Sequence, residues 1–482
     1  MKASARGLMV AAASLAALLP CRLAAQGIDR SHPPALPLPP ALTVPPARTA
    51  RLPNGLELVV VEMHEVPVVD VNLVVGAGSV RDPADLPGLA TFAANMLDEG
   101  AGRRAALEIA EEAAYLGANL STAAGYENAG ISLHVPRRQL EPALDLMADV
   151  ALRPTFPDSD IVRQRDLRQT AILRLRYQPT AMAPIAFNAI VFGSRHPYGR
   201  PLEGTDASTA LLSRARVAAF YGQYYRPNNA RMLFVGDITM AEAQRLARAR
   251  FGTWQHANVP ALPRAAAPAP QPRTIFLVDK PGAAQSVIRI GHVGVARNSP
   301  DWPAIQVMNT ILGDAFTSRL NQNLRETRSY TYGAFSRFDA RRLPGPFRAY
   351  ASVVTAKTDS SLIQFLYELR RIRDSIVPGE ELVKARAYIT LGLPGEFETT
   401  AGTAARYMDL LINGLPLTWF RGYAQRVNAV TAADVQRVAR QYIRPDSFAI
   451  VVVGDRSQVE AGIRALNEGP ISLRDLWGQE VR

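Results

Sequence analysis

The stretch Pro87-Gly88-Leu89-Ala90-Thr91-Phe92-Ala93-Ala94-Asn95-Met96-Leu97 predicts a helix that opens near Pro87. Proline is well placed in the first turn of a helix, and the apolar residues that follow suit a buried face. Positions 91, 94 and 95 lie at i, i+3 and i+4, so they share one face of that helix. A similar helix is predicted near Pro303, after an offset of 216 residues (303 − 87). Further out, an apolar strand over residues 69–75 recurs over residues 287–293. Tyr224-Tyr225-Arg226-Pro227 followed by Gly236-Asp237 recurs as Tyr442-Ile443-Arg444-Pro445 followed by Gly454-Asp455, with both Pro and Gly pairs 218 apart. Offsets that close over so long a span indicate a duplicated domain.

Each half mixes strands with helices of 3.6-residue period, such as Leu140-Leu144-Leu146-Val150 and Ile363-Leu366-Leu369-Ile372. The elements do not follow a strict strand–helix–strand rhythm, so the expected class is α+β. Prolines 260, 263, 268, 270 and 272 mark residues 257–273 as a semi-rigid linker. The expected organisation is therefore a domain at 48–256, the linker, a second domain at 274–465 and a tail at 466–482.

At 482 residues the chain is too long for one core, and its 48% hydrophobic and 20% charged content is that of a globular protein. The net charge of +11 comes almost wholly from dispersed arginines, since only Lys2, Lys280, Lys357 and Lys384 are lysines. That pattern lacks the basic runs of nucleic-acid-binding arms, and no nucleic-acid partner is expected. At the N-terminus, Lys2 and Arg6 precede an apolar run over residues 8–19 and a small-residue site at Leu23-Ala24-Ala25. This is the order of a secretory signal peptide over residues 1–25, followed by a proline-rich leader at 26–47. The run is too short for a stable membrane span, and an exported, periplasmic location is expected, with association with the envelope left open. Cys21, the single cysteine, falls in this segment; lipidation is the alternative to its removal, but Pro20 suits lipoprotein processing poorly. A chain cleaved after Ala25 loses Lys2, Arg6 and Arg22, falls from +11 to +8, and has no thiol for disulfides, zinc or nucleophilic catalysis.

The 87–97 segment closely resembles the helix of inverzincin metallopeptidases, the family of pitrilysin, insulin-degrading enzyme and mitochondrial processing peptidase, in which Gly-Leu-Ala precedes His-x-x-Glu-His. In that motif two histidines at i and i+4 share one Zn²⁺, and the intervening glutamate deprotonates the metal-bound water. Here the ligand and base positions hold Thr91, Ala94 and Asn95, which can neither bind zinc well nor act as a base. The resemblance places the third ligand at Ala171 (171 − 95 = 76) and a supporting glutamate at Gln164; Thr170 and Ile172 flank the former. No two of His32, His64, His134, His196, His256 and His292 stand at i,i+3 or i,i+4, and His196, in Arg195-His196-Pro197-Tyr198-Gly199, reads as a loop residue. No metal is therefore expected on this chain.

Around residues 324–333, Leu-Arg-Glu-Thr-Arg-Ser-Tyr-Thr-Tyr-Gly resembles the family's C-domain motif, in which an arginine and a tyrosine seven residues apart reach across to the substrate. Arg325 and Tyr332 have that spacing; the arginine can donate to a peptide carbonyl and the tyrosine hydroxyl to an oxyanion. Residues 118–122, with Asn119, resemble the family's substrate-pairing edge strand. The resemblance implies two homologous α/β-roll domains forming half of a clam shell. It further implies a non-catalytic, substrate-binding subunit of a heterodimeric zinc endopeptidase, paired with a homologous subunit that supplies zinc and base. The alternative is a pseudo-peptidase scaffold of the cell envelope that binds peptides without a hydrolytic partner.

Overall fold

The computed structural model describes residues 42–262, 265–339 and 341–481, and the segments read as signal peptide and most of the leader, with Cys21 and His32, lie outside them. Residues from Leu42 onward form one compact α+β unit built on two six-stranded sheets.

The first sheet contains β1 (Ala47–Arg51), β2 (Glu57–Glu62), β3 (Val68–Val75), β4 (Asn119–Ala124), β5 (Ala129–Pro136) and β6 (Ala230–Gly236), in the order β1-β2-β6-β3-β5-β4. The second contains β7 (Thr274–Asp279), β8 (Gln285–Val293), β9 (Thr331–Phe338), β10 (Pro346–Val354), β11 (Ala449–Gly454) and β12 (Ile471–Arg474), in the order β9-β10-β8-β11-β7-β12. The two orders match strand for strand: β2-β6-β3-β5-β4 corresponds to β7-β11-β8-β10-β9. The one difference is the far edge. β1 precedes its sheet and runs antiparallel to β2, whereas β12 comes from the chain's end and runs parallel to β7. Residues 466–482, expected as a tail, thus complete the second sheet, and the leader boundary at 47 falls on the first residue of β1.

The central strands read as unbroken apolar runs because both faces of each sheet are covered. Residues Ile450 to Val453 of β11 and Leu233 to Val235 of β6 are completely buried. β4 alternates exposed and half-buried residues, as an edge strand does.

Five helices matter to the site: α1 (Leu89–Asn95), α2 (Asp158–Leu175), α3 (Pro179–Phe192), α4 (Thr358–Asp374) and α5 (Gly379–Glu396). The halves exchange helices. Met182, Ala183, Ala186 and Phe187 of α3, from the first half, pack on Val278, Val287, Val451 and Val453 of the second sheet. In return the helix Thr400–Asn413 packs on β6 and β3, and Arg231 Nη1 donates to the Leu411 carbonyl at 2.9 Å. Apolar burial is the largest favourable term in such packing, so the halves are held by shared cores and not by the linker alone. The described linker residues carry no helix or strand, and Arg81 Nη1 donates to the carbonyls of Pro260 (2.6 Å) and Ala261 (2.9 Å). Among the described residues no helix is long and apolar enough to cross a membrane.

One expected core position moves outside. Ile363 is 49% exposed, while α4 buries Leu362, Phe365, Leu366, Leu369 and Ile372. A spacing of three residues drifts around a helix of 3.6 residues per turn, so the expected stripe slips off the buried face at its first member.

Candidate functional site

α1 is short and almost wholly buried, and its start is fixed from outside the helix. The Asp82 carboxylate accepts from the N–H groups of Gly88 and Ala90, each at 2.8 Å, and so meets the unpaired donors of the first turn. Burial pushes Asp82 up to about 7, against the pull of those two N–H groups and of the nearby Arg200 and Arg168 guanidinium groups. Gly88 has φ +91°, and a Cβ there would stand 2.7 Å from the Gly204 nitrogen, so only glycine fits this turn.

The Thr91 side chain is engaged inside the protein. Its hydroxyl lies 2.8 Å from the Leu202 carbonyl and 3.0 Å from that of Gly88. It also accepts from Arg168 Nη1 at 3.1 Å, while the same nitrogen donates to the Gly88 carbonyl at 2.8 Å. Arg168 comes from α2, three residues before Ala171. It is buried, pairs with Glu203 at 3.1 Å, and lies over the Phe92 ring with its guanidinium carbon 5.0 Å from the centroid. Burial lowers its pKa, and the charges of Glu203 and Asp82 oppose that fall.

The other counted positions diverge. Ala94 is fully buried, whereas Asn95 and Ala171 are exposed. Gln164 and Arg163 both donate to the nearly buried Glu99. Among the described residues no group of three or more His, Cys, Asp or Glu side chains is placed to hold a metal ion. Instead a guanidinium sits in hydrogen-bond contact with the first ligand position, and its charge opposes a divalent cation. The residues present do not fit zinc.

In the second half, Arg325 lies on a turn of π-helix, Gln322–Thr327, and its guanidinium carbon is 4.4 Å above the Phe316 ring centroid. Its Nε is 3.3 Å from Glu326. Tyr332 lies on β9, which among the described residues pairs only with β10, and is 91% exposed. Asn119 begins β4, which among the described residues pairs only with β5, opposite His134. β4 also contacts α1, and Thr122 Oγ1 donates to Asp98 at 3.3 Å. The free side of β4 can accept an extended chain by main-chain hydrogen bonds. His196 is structural: its Nδ1 accepts from the Tyr198 N–H at 3.0 Å and its ring stacks on Phe192 at 5.0 Å, with burial lowering its pKa. Sequence reasoning missed Arg168, Asp82 and Glu203. The one available signal was Arg168 itself, an arginine one helical turn from the third ligand position.

Two family profiles cover this fold. Residues 58–206 match the insulinase peptidase family M16, and residues 212–389 match the peptidase M16 inactive domain. The chain belongs to peptidase family M16. Among its M16 relatives are an uncharacterized zinc protease of Mycobacterium leprae, 28% identical over 83% of this chain and 90% of that protein, and one of Bacillus subtilis, 22% identical over 83% and 96%. The solved peptidase M16 inactive domain from Pseudomonas fluorescens superposes with a TM-score of 0.80 at 24% identity, covering 85% of this chain and 98% of that one. A protease from Helicobacter pylori gives 0.80 at 19% identity, covering 85% and 99%. At these identities the structural likeness speaks for the M16 fold alone.

Proposed function

We propose that this M16 chain is the non-catalytic, substrate-binding subunit of a heterodimeric, exported zinc endopeptidase whose metal and general base come from a homologous partner. The observation that carries this reading is the contrast at the two ends of the site. The position of the first zinc ligand is hydrogen-bonded to the buried Arg168, while Tyr332 is exposed and Arg325 remains partly accessible. Simple decay gives no reason for a cation to be built into one end while the substrate-facing pair at the other persists. In the proposed complex Arg325 donates to a peptide carbonyl, Tyr332 donates to the oxyanion that develops at a scissile carbonyl, and β4 pairs with extended substrate.

The test is to express this chain alone and together with an M16 chain that keeps His-x-x-Glu-His, and to assay cleavage of a quenched fluorescent peptide. Activity is expected only in the mixture. Arg325→Ala in this chain should lower kcat/KM of the mixture about a hundredfold, the scale of losing one preorganised transition-state donor. Chelator-sensitive cleavage by the isolated chain would overturn the proposal.

A further inference from the structure

The second half holds an open pocket of about 850 Å³ at the place that corresponds to the degenerate zinc position of the first. The correspondence follows from the duplication. α2 and α5 each have 18 residues and each follows a proline, Pro157 and Pro378, giving an offset of 221 (378 − 157). Gln164 and Ala171 therefore correspond to Ala385 and Gly392. The offset of 216 between Pro87 and Pro303 likewise relates Ala94 and Asn95 to Thr310 and Ile311. Thr310, Ile311, Ala385 and Gly392 all line the pocket.

Its chemistry is mixed but favours an anion. Deep in the wall, the buried Glu368 carboxylate accepts from Asn323 at 2.8 Å and from Arg371 at 3.3 Å, and Arg319 is paired with Glu381 at 2.8 Å. Arg328 and Lys384 add to Arg319 and Arg371, so four bases face two acids among the lining residues, with Lys384 3.8 Å from Glu380 outside the lining. Arg328 forms no ion pair with a described residue; its Nε donates to the neutral Asn323 amide at 2.9 Å. Tyr388 and Leu391, 55% and 56% exposed, supply an apolar side.

Gly392 points to an occupant. It lies inside α5, where glycine is less favourable than alanine. Its φ is not positive, and a Cβ there would meet no heavy atom within 4 Å, so the chain's own packing does not require it. What the missing side chain preserves is the space of the pocket. Two π-helical turns, Thr310–Asp314 and Gln322–Thr327, also line it; such turns recur at functional sites.

We infer that this pocket binds a carboxylate flanked by apolar groups, an acidic segment of a peptide. The preference for a carboxylate stands on the lining; that the carboxylate belongs to a peptide rests on the reading above. The turn that carries Arg325 also supplies Gln322, Asn323 and Thr327 to the pocket, so the two sites adjoin on one element.

The experiment uses the isolated chain and a fluorescein-labelled octapeptide of alternating Glu and Leu, read by anisotropy. Binding is expected, at least tenfold weaker for the Lys-for-Glu peptide and for Arg328→Glu or Lys384→Glu. Gly392→Phe places a benzyl group on the pocket wall where a Cβ meets no other atom, and should weaken binding at least tenfold while its thermal unfolding stays near that of the parent. Equal binding by Gly392→Phe, or displacement of the peptide by millimolar inorganic phosphate, overturns the inference, the latter making it a free-anion site. Cleavage by the mixed complex and its loss in Arg325→Ala are measured separately, so this inference can fail while the proposed function stands.

Discussion

The two halves share one sheet order and one set of helices, yet they treat the equivalent cleft in opposite ways. In the first half Arg168 and Gln164 reach into buried hydrogen-bond networks, with Thr91 and Glu99 as their partners. In the second half the corresponding positions are Ile389 and Ala385, with Gly392 in place of Ala171, and the cleft stays open. The difference shows that the duplicated scaffold supplies a cavity by default and that side-chain length decides whether it is used. A cleft between equivalent helices is a property of the fold; a ligand site is a property of a few residues in it.

The sharpest way to break this comparison is to rebuild the metal site. Thr91→His, Ala94→Glu, Asn95→His and Ala171→Glu together restore the family's ligand set on paper. With Arg168 in place, little zinc affinity is expected, because a unit charge about 4 Å away costs on the order of 4 kcal/mol per unit charge at an effective dielectric near 20. Adding Arg168→Leu should raise affinity at least a hundredfold in competition with a chromogenic chelator. If the four substitutions bind zinc tightly by themselves, Arg168 is not the block.

A second difference concerns pH. His292 of β8 stands where β3 has Val75, by the register of each strand against β11 or β6. Its Nδ1 donates to the Val293 carbonyl at 2.8 Å and its Nε2 accepts from the Arg444 N–H at 3.2 Å. Burial, aided by the Arg444 charge, pushes His292 down to about 3. A depressed folded-state pKa means that the unfolded chain takes up a proton first, near 6.5, so stability is present above that pH and is lost as pH falls toward 3. Urea unfolding should therefore weaken by up to a few kcal/mol between pH 6.5 and 4. His292→Phe should be less stable at pH 7, since it leaves the Arg444 N–H unpaired, but should lack that slope. An unchanged slope would place the acid sensitivity elsewhere.

The duplication and the α+β class were legible because they rest on local pattern and on fixed offsets, whereas the edge strand at residues 118–122 came only from the family resemblance. The exchange of α3 for the helix Thr400–Asn413 was not. Periodicity says which residues of a helix are buried but not in whose sheet they are buried. The sequence of α3, Pro-Thr-Ala-Met-Ala-Pro-Ile-Ala-Phe-Asn-Ala-Ile-Val-Phe, is apolar nearly all round, and that breadth signals a helix between layers. β12, four half-buried residues, is too short for alternation to show. At the site the residue types at positions 91, 94, 95 and 171 were readable by counting, whereas the Arg168–Thr91 contact joins positions 77 residues apart and only Arg168's place one turn from position 171 hinted at it.

The smallest expected effect tests whether Gly392 is kept by the fold or by the pocket. Gly392 and Ala171 occupy the same step of equivalent helices and both are exposed, Gly392 on the wall of the open pocket. Helix propensity alone predicts opposite signs for swapping them. Gly392→Ala should stabilise the chain by roughly 0.5–1 kcal/mol, and Ala171→Gly should destabilise it by a similar amount, as measured by urea unfolding. The methyl group added at 392 meets no atom within 4 Å, so packing has no reason to reverse the first sign. If Gly392→Ala is destabilising, the glycine serves a backbone need of α5, and the contrast between a filled cleft and an open one loses its functional meaning. If it stabilises the chain while weakening the acidic peptide, the second half gives up stability to keep that space open.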